Sequence, residues 1–333
     1  MQGLFDIMEP PETVQLRRRS PIGRELRIAE ELHKQAQIAG NALLGALREN
    51  RPLPLQRFED LSAEMAECSL RNPSALSYCT QSYSEDVYTH SMGTGALMIL
   101  VASHLRMSED QICQAGTAGL LHDIGNFHIS AELLNKPGTL TPEEFRVVAQ
   151  HAMHGYRLLA QADYLPPTEV RDSIRHHHER LDGSGYPDHL EEGDIPPITR
   201  MVAIADAYDA LTRNRPFHKA LASPKALAVL RQSAQGRYDR ALLESFAECI
   251  GPFPSGSLVR LASHRLAVIV EQRHEEQRAP LVDAFYDIAT QRPTLIETID
   301  LAEQPNERIV AMESAADWDF NLGFQLRKSA TFH

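Results

Sequence analysis

The chain has 333 residues, of which 43% are hydrophobic and 23% charged, and its net charge is −12 at pH 7. This length is typical of one large domain with an appendage, and the acidic balance argues against a general binder of nucleic-acid polymers. The four cysteines are scattered without a CxxC pair, which is typical of reduced thiols. The N-terminus lacks the apolar segment of a signal peptide, and the most apolar run, GTGALMILVA, is too short to cross a bilayer. We therefore expect a cytoplasmic protein without a membrane segment.

The first part of the chain predicts a helical lead-in. Apolar residues recur every three or four positions from Arg24 to Leu47, and a second helical pattern runs from Phe58 to Leu70. Neither segment carries residues that indicate chemistry. We interpret residues 1–82 as a region for regulation or for dimerisation into a homodimer.

The middle of the chain, residues 83–250, predicts an all-α bundle. Capping boxes are expected where Ser108 precedes Gln111 and where Thr141 precedes Glu144, and helices follow one another with short connectors. The exception is the segment 180–197, which is rich in glycine, proline and acidic residues and is too irregular for a helix. After residue 250 the short β-type runs GPFPSGSLVRL and RLAVIVEQ appear, with APLVDAFYD as a candidate third. Residues 251–333 therefore predict a small β appendage and a tail, from about Thr294, for which the sequence predicts no fold.

Histidines are concentrated in the predicted bundle. A single helical histidine is more often a hydrogen-bonded core or surface residue than a ligand, and this interpretation applies to His128, His154, His176 and His189 taken one at a time. A second set is embedded in apolar sequence such as GLLHDIG and MVAIADAYDAL, where buried charge needs compensation. This set consists of His90, His122, Asp123, His151, His177, His178 and Asp206.

A shared metal centre would compensate all of these side chains together. Imidazole and carboxylate ligands without thiolate favour iron, manganese or a similar hydrolytic ion over structural zinc. Seven candidate ligands are too many for one open catalytic ion and suit two ions, about 3.5–4 Å apart, that share a carboxylate. Such a pair activates water and clamps a phosphoryl group, which predicts phosphodiester hydrolysis with Asp123 as the bridging carboxylate.

The motifs HDIGNFHIS, QHAMHG, HHERLDGSGYP and IADAYDALTRNRPF resemble those of the HD-GYP group of HD-domain phosphohydrolases. The resemblance extends from about Asn72 to Val282, and HHExxDGxGYP in the correct order is its most specific part. It implies an HD-type helical bundle that hydrolyses the bacterial second messenger cyclic di-GMP to linear pGpG, and often onward to GMP, at a centre of two or three metal ions.

Carried over residue by residue, the resemblance implies two ligand sets that share Asp123. One ion would be held by His90, His122, Asp123 and Asp206, and the second by Asp123, His151, His177 and His178. Some members bind a third ion through an acidic residue one helical turn before the first histidine. Asp86 occupies that position, and a helix N-cap is the other interpretation of it.

The same resemblance assigns the GYP loop to substrate handling and to contacts with a partner diguanylate cyclase domain. The residues concerned here are Asp182, Gly183, Gly185, Tyr186 and Pro187. A tight turn that needs glycine and proline for its backbone geometry is the alternative interpretation, and the two are compatible.

Two positions depart from the family pattern. The family motif is HDxGK, and in this chain Asn126 occupies the position of its lysine. A positive charge that would stabilise the transition state is therefore lost. The late motif, usually RPY followed by a basic residue, reads Arg215–Pro216–Phe217–His218, with Lys219 one place later. We expect Asp123, Asn126 and Arg215 to be catalytic, Arg215 and Lys219 to bind the phosphates, and turnover to be slow.

Three functions follow from these motifs. The first is a metal-dependent cyclic di-GMP phosphodiesterase. The second is a catalytically weak binding or signalling module, motivated by Asn126. The third is a generic HD phosphohydrolase for other nucleotides, against which the GYP loop argues.

Overall fold

The helix predicted for Arg24–Leu47 is the first element of the computed structural model, which describes residues 20–80, 88–213, 219–272, 279–314 and 317–318. It runs one or two residues further at each end, as α1 (Ile22–Arg48). The helices that follow are α2 (Gln56–Arg71), α3 (Pro73–Thr80), α4 (Thr89–His104), α5 (Glu109–Leu121), α6 (Ala131–Leu134), α7 (Pro142–Ala149), α8 (His151–Ala160), α9 (Thr168–His176), α10 (Pro197–Thr212), α11 (Ser223–Ser233) and α12 (Arg240–Ile250). Short 3₁₀ turns lie at Ile124–His128 and Glu192–Asp194.

Both predicted capping boxes are present. The Ser108 hydroxyl accepts a bond from the Gln111 backbone N–H, and the Gln111 side chain accepts one from the Ser108 N–H. Thr141 and Glu144 make the same reciprocal pair at the start of α7. These bonds satisfy N–H groups that a helix start leaves unpaired, which is why the sequence alone located both starts.

Helix α4 is the centre of the bundle and is buried along almost its whole length. The main hydrophobic core combines residues of α1 to α5 with residues of α8 to α12 and one face of the C-terminal sheet.

The predicted fold class, an HD-type bundle with a helical lead-in and a β appendage, is confirmed. The domain boundaries 1–82, 83–250 and 251–333 stay predictions. Within the described ranges, no helix is both long and apolar enough to span a membrane.

The C-terminal sheet has five antiparallel strands in the order β4-β3-β2-β1-β5. The strands are β1 (Leu258–Leu261), β2 (Arg265–Glu271), β3 (Leu281–Asp287), β4 (Arg292–Asp300) and β5 (Ile309–Met312). Alternate residues of β2 such as Val268 face the helices, while Ala267 and Ile269 face a second small core. The sheet is tied to the bundle by the Asn72 amide, which donates to Glu271 at 3.0 Å. The sequence pattern predicted β1 to β3. Strands β4 and β5 lie mostly in the C-terminal tail, for which the sequence predicted no fold.

A buried ion pair holds α1 against α2. Glu25 is fully buried, and the Arg71 guanidinium donates to its Oε1 at 3.0 Å. Burial raises the pKa of Glu25, but the hydrogen bond and charge of Arg71 outweigh it, so the pKa lies below its ordinary value of 4.5. The carboxylate is therefore ionised in the folded protein at neutral pH.

The lowered pKa of Glu25 makes stability depend on pH. Just below pH 4.5 the Glu25 carboxylate is protonated in the unfolded chain but still ionised in the folded protein. The free energy of unfolding therefore falls as the pH falls through this window. We expect Glu25→Gln to cost about 2 kcal/mol at pH 7 and to make the loss below pH 4.5 shallower. Urea unfolding from pH 7 to pH 3 measures both effects. Glu132→Gln, at an exposed position, is the control and should leave the slope unchanged.

Candidate metal centre

Three buried or nearly buried histidines are oriented by the same local device. In His122, His151 and His177 the ring Nδ1 lies 2.8, 2.8 and 2.9 Å from the backbone carbonyl three residues earlier. A carbonyl only accepts, so these contacts assign the proton to Nδ1 in each neutral ring. Each Nε2 therefore carries a lone pair, and the three lone pairs point into one cluster. This is how metal-binding imidazoles are usually held.

The Asp123 carboxylate lies between two groups of histidines. Its Oδ1 is 3.4 Å from His151 Nε2 and 3.9 Å from His177 Nε2. Its Oδ2 is 3.5 Å from His122 Nε2 and 3.9 Å from His90 Nε2. One oxygen thus faces each group, which is the arrangement that a bridging carboxylate requires.

Asp206 and His178 complete the cluster. Asp206 Oδ1 lies 3.1 Å from His90 Nε2, and its Oδ2 lies 4.0 Å from His178 Nδ1. The cluster therefore contains two triads of possible ligands, each with its ligand atoms within 4.8 Å of one another: His90, His122 and Asp206, and His151, His177 and His178. All seven side chains singled out in the sequence come together here, and their division matches the two predicted ligand sets. That they bind metal stays a prediction.

The polar atoms of the cluster lack partners that a cation would supply. His122 Nε2 is buried and has no hydrogen-bond partner among the described residues. His151 Nε2 and His177 Nε2 lie 3.2 Å apart, and both are acceptors if their Nδ1 atoms carry the protons. Two facing lone pairs repel each other unless a cation or a proton lies between them. The donor set and its unpaired atoms therefore fit divalent metal ions.

Three side chains of the cluster have pKa shifts that favour the form in which they bind metal. Burial lowers the pKa of His177 well below its ordinary value and lowers that of His178 to about 4, so both rings are neutral at physiological pH. Burial raises the pKa of Asp206, but its hydrogen bond to His90 and the charge of that ring hold it well below its usual range. Neutral imidazole and ionised carboxylate are the forms that bind metal.

Two glycines bring the separate segments close enough to form the cluster. A Cβ on Gly125 would lie 1.8 Å from the backbone oxygen of His151, and one on Gly93 would lie 2.1 Å from Oδ1 of Asp209. Neither position admits a larger side chain without moving its neighbour. Gly125 lets the turn after Asp123 pack on α8, and Gly93 lets α4 pack on α10.

Comparison with known proteins agrees with this geometry. A family model described as "HD domain" matches residues 70–242. The cyclic di-GMP phosphodiesterase PA4108 of Pseudomonas aeruginosa is 35% identical over 307 residues, which cover 91% of this chain and 73% of that protein. A cyclic di-GMP phosphodiesterase of Thermotoga maritima is 29% identical over 73% of this chain and 65% of its own length.

This chain belongs to the HD-domain family, in its HD-GYP group. A solved structure titled as an HDG"Y"P protein, Bd1817 of Bdellovibrio bacteriovorus, matches with a TM-score of 0.56 at 19% identity, over 72% of this chain and 74% of that one. At 19% identity this similarity supports the fold and gives no information on function.

Asp209 is a residue of this HD-GYP protein that the sequence interpretation missed. Its Oδ2 lies 2.7 Å from His90 Nδ1, and the carboxylate is almost fully buried and also accepts from the Arg213 guanidinium. The available signal was the spacing of Asp206 and Asp209, three residues apart on one face of α10. Although burial lowers the pKa of His90, hydrogen bonds to Asp206 and Asp209 raise it to about 10. At this pKa the ring is protonated at neutral pH, and a metal ion bound at Nε2 would replace the proton there. Asp209 keeps its bond to Nδ1 and so fixes the ring with Nε2 facing the cluster.

Replacing Asp209 tests this orienting contact. Asp209→Asn keeps the shape but loses the charge, and we expect metal affinity to fall about 10- to 100-fold, as is usual when the partner of a metal-binding histidine is changed. Competition with a chromogenic chelator measures the dissociation constant. Asp194→Asn, at an exposed position, is the control. Equal metal affinity in Asp209→Asn and in the unmodified protein would contradict the assignment.

The remaining predicted site residues fall into three groups. Asn126 lies in the 3₁₀ turn after Asp123, and its Oδ1 is buried without a hydrogen-bond partner among the described residues. Lys219 is exposed and pairs with Asp317 at 2.6 Å, and its contact with a phosphate stays a prediction. Asp86 and Arg215 lie outside the described residues, so the predicted third-ion ligand and the predicted phosphate clamp stay predictions.

The GYP loop lies against the histidine cluster. The Tyr186 ring centre is 4.8 Å from that of His178, and 5.6 Å from that of Phe145. The Asp182 carboxylate instead accepts bonds from the backbone and hydroxyl of Ser184, at 3.0 and 2.6 Å. Asp182 thus closes the turn, which agrees with the turn interpretation, and Tyr186 is the loop side chain beside the candidate ligands.

Proposed function

We propose that this chain is a metal-dependent phosphodiesterase that hydrolyses cyclic di-GMP to linear pGpG. The observation that supports it most is the position of Asp123, whose two oxygens face two separate histidine groups at 3.4–3.9 Å. The names of the P. aeruginosa and T. maritima relatives give the substrate.

The residues of the centre would hold two divalent ions, and we propose iron or manganese for both. Divalent ions bound there would polarise the phosphodiester and supply a nucleophile at neutral pH. The protein's own contribution is orientation, because each imidazole is fixed through its second nitrogen before a metal binds. A third ion at Asp86 and further hydrolysis to GMP are separate extensions of the proposal.

A turnover assay on purified protein tests the proposal. Protein reconstituted anaerobically with Fe²⁺ or with Mn²⁺ is incubated with cyclic di-GMP, pGpG, cyclic GMP-AMP and cyclic di-AMP, and the products are separated by chromatography. We expect cyclic di-GMP to be consumed faster than the other substrates, with pGpG as the first product. Protein that carries two equivalents of metal by elemental analysis and consumes none of the four would overturn the proposal.

Asn126 supports a second candidate, a cyclic di-GMP-binding or partner-binding module with weak catalysis. Its side chain is uncharged and half-buried beside Asp123. A missing transition-state contact of this kind commonly costs about 10²–10³ in rate. Slow turnover with intact metal and nucleotide binding is the expected behaviour of such a module.

Restoring the lysine separates the two candidates. If the site is weakened by the missing charge, Asn126→Lys should raise kcat for cyclic di-GMP about 10²-fold. Asn135→Lys adds the same charge at an exposed position nine residues later and should change little. An unchanged kcat in Asn126→Lys would show that the lysine is dispensable here and would remove the basis of the second candidate.

We also propose that the GYP loop contacts a diguanylate cyclase domain. Phe145 is 49% exposed and lies edge-on to Tyr186, with Val147 exposed nearby on α7. Exposed apolar side chains next to a functional loop favour a docking surface. Dimerisation through the N-terminal helices stays a prediction.

A further inference from the structure

Arg180 has a donor that stands apart from those of several basic side chains on neighbouring elements. Four of these pair with carboxylates: Arg175 with Asp188, Arg200 with Asp239, Arg213 with Asp209 and Lys219 with Asp317. In the described part of the chain no carboxylate oxygen lies within 4.0 Å of the Arg180 guanidinium. Its Nη1 is buried and has no hydrogen-bond partner there. A buried donor of this kind is costly unless a ligand satisfies it.

Arg180 lies close to the candidate ligands along the chain. It follows His177 by three residues and His178 by two, and its guanidinium carbon lies 4.9 Å from the centre of the Tyr238 ring. Burial raises the pKa of Tyr238, the Arg180 charge opposes the rise, and the Asp206 charge adds to it. The guanidinium therefore packs on the Tyr238 ring and follows directly on the segment that carries two candidate metal ligands.

The backbone around Arg180 is fixed on both sides. The buried Glu179 carboxylate accepts backbone N–H bonds, at 2.7 and 3.2 Å, from Asp188 and Leu190, which directly follow the GYP loop. The two residues after Arg180 donate backbone N–H bonds, at 3.3 and 2.8 Å, to carbonyls of residues 237 and 236. The face of Tyr238 supports the guanidinium itself through a cation–π contact. The side chain is thus held in place before any ligand binds, which lowers the entropic cost of binding.

We infer that Arg180 is a phosphate-binding residue of the metal centre and contacts an oxygen of the cyclic dinucleotide. The inference rests on the proposed function. A planar guanidinium suits a phosphodiester because two of its N–H groups can bond two phosphate oxygens at once. The acidic protein, with a net charge of −12 and with Asn126 where the family has lysine, needs such a cation close to the scissile group.

Substitution of Arg180 tests the inference. We expect Arg180→Gln to weaken binding of cyclic di-GMP about 10- to 100-fold, the loss typical of a hydrogen bond to a charged group. The dissociation constant is measured by calorimetry on metal-loaded protein with the bisphosphorothioate analogue of cyclic di-GMP, which resists hydrolysis, and kcat and KM are measured with cyclic di-GMP. Arg180→Lys keeps the charge but loses the planar pair of N–H donors, so it should recover only part of the affinity. Metal content and melting temperature should be unchanged in both variants.

Arg175→Gln is the matched control. Arg175 also lies over a tyrosine ring, 5.2 Å from the centre of Tyr156, but two of its nitrogens are bonded to Asp188 at 2.7 and 2.9 Å. It should bind the analogue as the unmodified protein does. Tyr238→Phe keeps the supporting ring and should also be neutral, whereas Tyr238→Leu should weaken binding.

The outcomes separate this inference from the proposed function. Unchanged binding and turnover in Arg180→Gln would overturn the inference and leave the function standing. If the unmodified protein binds the analogue without turning over cyclic di-GMP, the proposed function fails, while the Arg180 variants still decide whether the arginine binds phosphate. If the unmodified protein does not bind the analogue at all, both fail. A loss of metal in Arg180→Gln would show a structural role and would also overturn the inference.

Discussion

Asp123→Asn is expected to lower turnover of cyclic di-GMP by about 10³-fold or more, because stabilisation by metal ions supplies several kcal/mol and each 1.36 kcal/mol is a factor of ten in rate. The substitution removes the charge of the carboxylate that faces both histidine groups, and it leaves one oxygen to serve two ions. Steady-state kinetics with elemental analysis of the same sample measures both consequences. We expect the metal content to fall together with the rate.

Asp163→Asn is the control for this substitution. Asp163 is exposed and lies outside the histidine cluster, so the same chemical change there should leave both metal content and turnover unaltered. If Asp123→Asn retains two equivalents of metal and the rate of the unmodified protein, the bridging assignment is wrong.

Removal of metal is expected to lower the melting temperature by about 10 °C. A ligand present at 1,000 times its dissociation constant stabilises a protein by about 4 kcal/mol, and 1 kcal/mol corresponds to about 2–4 °C for a chain of 150–250 residues. Here the structural reason is the repulsion of the His151 and His177 nitrogens, 3.2 Å apart, and the unpaired Nε2 of His122. Differential scanning calorimetry before and after chelation measures the shift.

Readdition of metal completes this experiment. Mn²⁺ or Fe²⁺ should restore both the melting temperature and turnover in the unmodified protein, and should restore neither in Asp123→Asn. Identical melting curves for loaded and stripped protein, with the metal content of each verified, would show that the bound metal does not stabilise the fold and would contradict this prediction.

Much of the fold was predictable from sequence because its signals are local. The caps at Ser108 and Thr141 are made between residues three apart, and the stripe of α1 follows the period of one helix. Strands β4 and β5 were not predicted. Leu295 in β4 is 93% exposed, so that strand lacks the buried alternation on which strand prediction depends.

The members of the candidate site were also predictable, but their roles were predictable only in part. The sequence singled out seven side chains, which the structure brings together. The sequence interpretation did not single out Asp209 or Arg180, although Asp209 lies three residues after Asp206 and Arg180 lies inside the motif HHERLDGSGYP, because the contacts of each are made with residues distant in the chain. Asp209 matters through a bond to His90, 119 residues away, and Arg180 through the lack of an ion-pair partner among the described residues.

The sequence by itself therefore determined the helical class, the helix starts and the identity of the candidate ligands, since each depends on residue types at short, fixed spacings. Only the tertiary structure decided which oxygen of Asp123 faces which histidines, what orients His90 and that Arg180 has a buried donor without a partner among the described residues. These depend on how closely helices approach, as at Gly93 and Gly125, and that distance is set by packing between segments far apart in the chain.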